Sequence, residues 1–240
     1  TGASVMKMKQ VRAYNPAYHH VKTLYTIHNL PYAGGNHQHI IESYGIEKSF
    51  AEYIPEGMRS CPMSLGLTAA DKISTVSETY AKEIMTPEFG ERLEAVLEYR
   101  KQNVSGIVNG IDIESWDPET DPNIYRNYSV ADVENKKECK KSLQYQLGLR
   151  VADDVMLIGI VSRLTWQKGM HLILEKLQQI MNQDVQFIIL GTGDSYIESE
   201  LRKIESTYPR RAVFYCGYNE ELSHRVYAGC DLLLMPSDSL

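Results

Sequence analysis

Apolar residues in the second half of the chain fall into two alternating patterns. Residues 155–161, Val-Met-Leu-Ile-Gly-Ile-Val, are apolar throughout, as in a parallel strand buried on both faces. Residues 170–181 repeat apolar positions every three or four residues, as in a helix packed along one side. The alternation continues, with 185–190, 212–216 and 231–235 predicting strands and 195–208 and 220–228 predicting helices between them. Ser195-Tyr196-Ile197-Glu198 has the spacing of a capping box, Pro209 stops that helix, and Asn219 is placed to cap the next. A β-α-β-α-β-α-β order with right-handed crossovers gives a parallel sheet with helices on its faces. Its carboxyl edge, where open α/β sheets bind ligands, then carries Arg163, Lys168, Gly191, Gly193, Gly217 and Tyr218.

The first half is less regular. Residues 1–20 are polar without a clear period, and 14–20 read as a loop. A strand over 22–27 leaves His28 and Asn29 just past its carboxyl end, with an extended exit toward Pro31. Short helices in a connection are expected over 36–56, a helix over 63–70, and a strand over 72–76. Helices follow over 77–85, capped by Ser77, and over 91–101, then a strand over 104–108 and the turn Asn109-Gly110. Trp116-Asp117-Pro118-Glu119-Thr120-Asp121-Pro122 is irregular and reads as a connector, and 135–147 as a lysine-rich amphipathic helix closed by Gly148. A chain of 240 residues is expected to form two small domains rather than one, here 1–104 and 105–240.

The candidate chemistry sits in the loop 161–169, Val-Ser-Arg-Leu-Thr-Trp-Gln-Lys-Gly. Arg163 brings a guanidinium fork, Lys168 an ammonium, and the following helix free N–H groups and the positive end of its dipole, a set that suits a diphosphate. Gly191 and Gly193 would let backbone N–H groups approach phosphate, and the Tyr218 ring can stack on a base. Singly, each feature also fits a solvated loop, a packing glycine or a structural tyrosine; a hydrogen-bonded structural role equally fits His28. Convergence on one edge favours a nucleotide pocket.

Composition narrows the partners. A net charge of −6 and a pI near 5.7 argue against nucleic acid or anionic membrane, so a bound anion relies on local cations. No apolar run approaches the roughly 18 residues of a membrane span, and the start lacks a secretory leader pattern. Cys61, Cys139, Cys216 and Cys230 form no C-x-x-C pair and are expected as free thiols, without a disulfide framework or zinc site. The lack of a D-x-D pair points to chemistry without a metal, and no cofactor is expected.

Several segments carry a resemblance. Thr26-Ile27-His28-Asn29-Leu30-Pro31-Tyr32, Thr75-Val76-Ser77-Glu78-Thr79-Tyr80-Ala81, Gly106-Ile107-Val108-Asn109-Gly110-Ile111-Asp112, the 161–169 loop, and Gly217-Tyr218-Asn219-Glu220 ahead of Tyr227-Ala228-Gly229-Cys230-Asp231 resemble, in order, segments of bacterial glycogen synthase and plant starch synthase. The resemblance implies the GT-B fold. Residues 1–104 would be the later part of its first Rossmann-like domain, and 105–240 the earlier part of its nucleotide-sugar-binding domain. It also implies glucose transfer from ADP-glucose to the 4-OH at the non-reducing end of an α-1,4-glucan, with retention and without a metal. By position, Arg163 and Lys168 match the pyrophosphate-binding pair, Tyr218 the residue stacked on adenine, and His28 the histidine that holds the donor glucose. His28, Arg163 and Lys168 are thus the candidate catalytic residues, with Asn29 and Asn109 beside His28 in the sugar site and Gly191, Gly193 and Gly217 around the nucleotide.

The family's Lys-Thr-Gly-Gly-Leu and His-Asp-Trp-His have no counterpart, Ala33-Gly34 stands where Gln-Gly is expected, and Asp238-Ser239-Leu240 stands in place of Arg-Phe-Glu. A fragment at both ends, with little transfer activity of its own, is therefore expected. The alternatives are a GT-B transferase using a UDP-linked donor, a sugar-nucleotide epimerase, or a non-catalytic paralogue that binds nucleotide or glucan. The expected compartment is bacterial cytoplasm or, for a plant source, the plastid.

Overall fold

The structure, a computed structural model, describes residues 1–237 and divides into two compact units, Thr1–Gly110 and Ile111–Leu240. Asp238, Ser239 and Leu240, where the family pattern breaks off, lie outside the described residues.

In the first unit the elements are α1 (Gly2–Tyr14), β1 (Leu24–Ile27), α2 (Ile40–Ser43), α3 (Pro62–Ala69), β2 (Lys72–Thr75), α4 (Glu78–Glu83), α5 (Glu94–Tyr99) and β3 (Val104–Gly106). The strands form a parallel sheet in the order β1-β2-β3, with Leu24 beside Lys72 and Ile73 beside Val104. Helix α3 is apolar on opposite sides and is buried accordingly. Met63 and Leu67 pack with Ile27, Ile73, Ile84 and Leu97, while Leu65 and Ala69 pack with Ala3, Met6, Ile40 and Ile54. Arg100 closes the end of this helix, donating to Thr68 O at 2.9 Å and to Ala70 O.

Helix α1 corrects the reading of 1–20 as aperiodic. It buries Ala3, Met6 and Gln10 along one stripe. Gln10 hides the period because it is polar, yet it is satisfied there, its Oε1 accepting from Glu47 N at 2.8 Å. Gly2 is obligatory, since a Cβ would stand 1.6 Å from Pro62 O of α3.

The domain boundary expected after residue 104 is also corrected. It falls inside β3, which belongs to the first sheet, and the units divide after Gly110. Gly106 makes this possible, because a Cβ there would meet Ser77 O at 2.2 Å and push the strand off the start of α4.

The second unit contains α6 (Lys136–Gln146), β4 (Met156–Val161), α7 (Met170–Met181), β5 (Val185–Gly191), α8 (Ser195–Thr207), β6 (Ala212–Cys216), α9 (Glu220–Gly229) and β7 (Leu232–Leu233). Its parallel sheet runs β6-β5-β4-β7. The unbroken apolarity of β4, and that of β5 apart from the hydrogen-bonded Gln186, follows from burial on both faces. Ile158, Ile160, Phe187 and Ile189 pack with residues of α7 and α8, while Leu157, Ile188 and Leu190 pack with residues of α6 and α9. The chain steps from β4 outward to β5 and β6, then returns to place β7 on the other side of β4. Strand β4 is therefore the switch point of the sheet, the place where such folds open a ligand crevice.

Two local expectations are revised. The N-cap of α8 is Asp194, whose Oδ1 accepts from Tyr196 N at 2.9 Å and Ile197 N at 3.3 Å, one residue earlier than the capping box implied. Strand β7, Leu232–Leu233, is shorter than 231–235, and Asp231 ahead of it serves as a clamp: its Oδ2 accepts from Leu157 N at 2.7 Å and pairs with Lys140 at 2.7 Å.

The first unit carries an acid-sensitive junction. Asp71 Oδ2 accepts from Arg12 Nη1 at 2.7 Å, Thr23 N at 2.7 Å and Thr23 Oγ1 at 2.9 Å. Partial burial pushes this carboxyl up, but the guanidinium and the Thr23 donors together outweigh it and bring it down to about 2, from 3.8. A depressed carboxylate stabilises the fold above its unfolded value and loses that contribution as pH falls toward its folded value, here from about pH 4 to about pH 2. In urea titrations followed across that window, Asp71→Asn is expected to flatten part of the wild-type fall in stability; an unaltered fall would contradict the role of this cluster.

Candidate functional site

The carboxyl edge of the second sheet is shaped by two loops that stay zippered beyond β4 and β5. Ser162 N donates to Leu190 O at 3.1 Å, Leu164 N to Thr192 O at 3.0 Å and Asp194 N to Leu164 O at 2.8 Å. Glycine is required on the facing loop: a Cβ at 191 would stand 2.0 Å from Ser162 O, and one at 193 would stand 2.3 Å from Leu164 O. The close approach that this Gly-x-Gly permits is therefore loop to loop. Gly193 N is moreover engaged, donating to Glu198 Oε1 at 2.9 Å, while Thr192 Oγ1 donates to the same oxygen at 2.7 Å. The Gly193 N–H, first, and the Thr192 hydroxyl hold the Glu198 carboxyl below its usual range. The amide read from the sequence as a phosphate donor is thus held by Glu198 in this structure.

Leu164 is fully buried, and its neighbour Arg163 is exposed. Lys168 is half-buried at the end of a 3-10 turn, Trp166–Lys168. Among the described residues neither cation has an ion-pair partner. Gly169 follows at φ 64° and starts α7; a Cβ there would lie 1.4 Å from Pro236 O, so the corner is wedged against the chain leaving β7. Thr165 Oγ1 is buried in this loop without a hydrogen-bond partner among the described residues.

A cavity of about 400 Å³ opens on this edge. Val161, Ser162 and Arg163 line one side of it, and Leu190, Gly191 and Thr192 another. A third side comes from Gly217, Tyr218 and Asn219 after β6, with Ser223 and Tyr227 of α9 and Trp116 of the connector completing the wall. Gly217 turns at φ 144°, and Asn219 Oδ1 accepts from Leu222 N at 2.9 Å to cap α9, so Tyr218 is held between two fixed residues with its ring 83% exposed.

The structure thus brings Arg163, Gly191, Gly217 and Tyr218 together. Lys168 and Gly193 are not among the lining residues. His28, Asn29 and Asn109 belong to the first unit: the first two follow β1 and the third follows β3, on one edge of that sheet and two strand spacings, roughly 10 Å, apart. The turn after His28 is secured by Leu30 N donating to Tyr80 Oη at 2.9 Å. Sequence reasoning passed over Trp116, Tyr227, Ser223 and Thr192. The one available signal was a tryptophan inside an otherwise polar connector.

Among the described residues no group of three His, Cys, Asp or Glu side chains is arranged to hold a metal ion, and no helix is long and apolar enough to cross a membrane.

Comparison with known proteins places this geometry. A family model described as starch synthase catalytic domain matches residues 1–99, and one described as glycosyl transferases group 1 matches residues 156–240. A glycogen synthase of Desulforudis audaxviator is 41% identical over 227 residues, covering 93% of this chain and 45% of that protein. One from Bacillus cereus is 42% identical over 226 residues, covering 93% and 48%. The structure is similar to the catalytic domain of starch synthase IV from Arabidopsis thaliana, solved bound to ADP and acarbose, with TM-score 0.86, 31% identity, and coverage of 96% of this chain and 49% of that one. Over nearly its whole length the chain is thus similar to part of the glycogen and starch synthases. Its fold class is that of the family, GT-B, represented by two Rossmann-like α/β units. The chain spans about half the length of the curated relatives it matches.

In the second unit the zipper predicts a specific sensitivity. Gly191→Ala is expected to destabilise the second unit by about 2 kcal/mol through overlap with Ser162 O, seen as a lower denaturant midpoint. A wild-type midpoint would show that the loops separate freely.

Proposed function

We propose that the chain carries the donor-nucleotide site and part of the sugar site of a synthase that transfers glucose from ADP-glucose to the non-reducing 4-OH of an α-1,4-glucan, retaining configuration. The observation that carries this reading is that Arg163 and Tyr218 line one cavity at the switch point of a parallel sheet. An exposed guanidinium without an acidic partner among the described residues is free to take phosphate oxygens in a bidentate grip. The starch synthase IV structure bound to ADP adds support from a relative.

The chemistry follows from charge. As the anomeric C–O bond breaks, negative charge grows on the departing diphosphate, so fixed cations stabilise the transition state more than the ground state. Arg163 and Lys168, in one loop ahead of the dipole of α7, are assigned this role, and Tyr218 the stacking face for adenine. His28, exposed at the end of β1, is assigned to the donor glucose, and Asn29 and Asn109 to the same sugar. Retention is assigned to same-face attack by the acceptor hydroxyl, held in register by these groups. The positive charge comes from side chains, so we assign no metal and no cofactor. The bacterial relatives favour a cytoplasmic location.

Calorimetric titration tests the donor site. ADP is expected to bind, UDP and NAD to bind more weakly, and Arg163→Ala/Lys168→Ala to weaken ADP more than tenfold, about 1.4 kcal/mol. UDP binding as tight as ADP would move the assignment to a UDP-linked donor, and an unaffected double variant would remove the two cations from the site.

A further inference from the structure

We infer that Asp121 and His224 are positioning residues for the nucleotide cavity, holding the Trp116 indole in place as a second aromatic group in the wall that solvent-exposed Tyr218 also lines. This inference rests on the nucleotide reading above. Trp116 lies in a connector with no α-helix or strand between Ile111 and Asp132; its backbone N–H donates to Asp112 O at 3.2 Å, and the place of its ring is set by side-chain contacts. The His224 ring stacks on it at 3.7 Å between centroids and 8° between planes, and Tyr227 meets it edge-on at 5.4 Å. His224 Nδ1 is hydrogen-bonded to Asp121 Oδ2 at 2.6 Å, and the two side chains are only 3% and 5% exposed. Asp121 Oδ1 in turn accepts from Asn123 N at 2.8 Å, and Arg225 Nε donates to Asn123 O at 3.1 Å, which ties the connector to α9 at a second point.

The energetics favour a positioning role. A buried ionisable pair contributes little net stability compared with apolar residues of the same volume, but its hydrogen bond has one geometry and so fixes the ring plane of His224. The indole supported on that ring keeps 39% of its surface exposed and lines the cavity. A base or ribose entering the cavity would then meet a wall already ordered at Trp116, without the entropic cost of fixing a loop tryptophan on binding.

The test is ADP binding by the full chain labelled with 5-fluorotryptophan, the Trp116 resonance being assigned through Trp116→Phe. ADP is expected to shift that resonance. His224→Ala is expected to move it already in the free protein and to weaken ADP at least tenfold in the folded fraction, while Asp121→Asn, which retains an oxygen to accept from Nδ1, stays within about threefold. A purely structural role would lower the melting temperature and leave the ADP affinity of the folded protein unchanged, and that outcome, within twofold of wild type, overturns the inference while the nucleotide reading stands. If His224→Ala does not fold, Trp116→Leu at the cavity wall decides: a tenfold loss supports the inference and a loss below twofold overturns it. Absence of ADP binding by the wild-type chain overturns both.

Discussion

Backbone contact between two loops is the constraint on which the second unit's cavity rests. Ser162 and Leu164 continue the β4 ladder beyond the strand, and they do so only because residues 191 and 193 have no side chain to intervene. That zipper aims Leu164 into the core and leaves Arg163 outside it. Gly169 repeats the device at the far end of the same loop, where its missing Cβ admits the carbonyl of Pro236. A cation held on backbone fixed at both ends needs little reorganisation when charge develops nearby, which is the condition for electrostatic stabilisation to be effective.

The two units solve burial differently. In the second, strands apolar on both faces are sandwiched between helix pairs, and polar groups enter as isolated clamps such as Lys140 with Asp231. In the first, the sheet is only three strands wide and much of the core lies between helices, with α3 between two clusters. Polar side chains accordingly close the helix ends and strand entrances there: Arg100 at the carbonyls that end α3, and Arg12, Asp71 and Thr23 ahead of β1 and β2.

Legibility in the sequence followed the same division. Strands β4, β5 and β6 and helices α7 and α9 could be read almost to the residue because one physical cause, two-sided or one-sided burial, sets their pattern. Helix α1 could not, since a buried but hydrogen-bonded Gln10 breaks its stripe, and β3 was misassigned because three residues carry too little pattern to show which sheet they join. At the site, Arg163 and Tyr218 were legible from their loops and from the family resemblance. The glycines were legible as glycines, but their reason was not, because a missing side chain is silent about which neighbour fills the space. Trp116 was visible only as an apolar residue in a polar connector, because its partner His224 lies more than a hundred residues away and nothing local marks the pair.

The clamp at Asp231 has a consequence in time as well as space. Leu157 N is paired with a carboxylate 74 residues downstream, and ribosomes add roughly 5 to 20 residues per second, so the β7 side of β4 stays unpaired for roughly 4 to 15 seconds after β4 itself has been made. During that interval the nascent unit presents an apolar strand edge of the kind that recruits other chains. The last short strand, two residues long and easily dismissed as peripheral, is thus the event that seals the switch-point strand, and folding of the cavity that sits on it is tied to the order of synthesis.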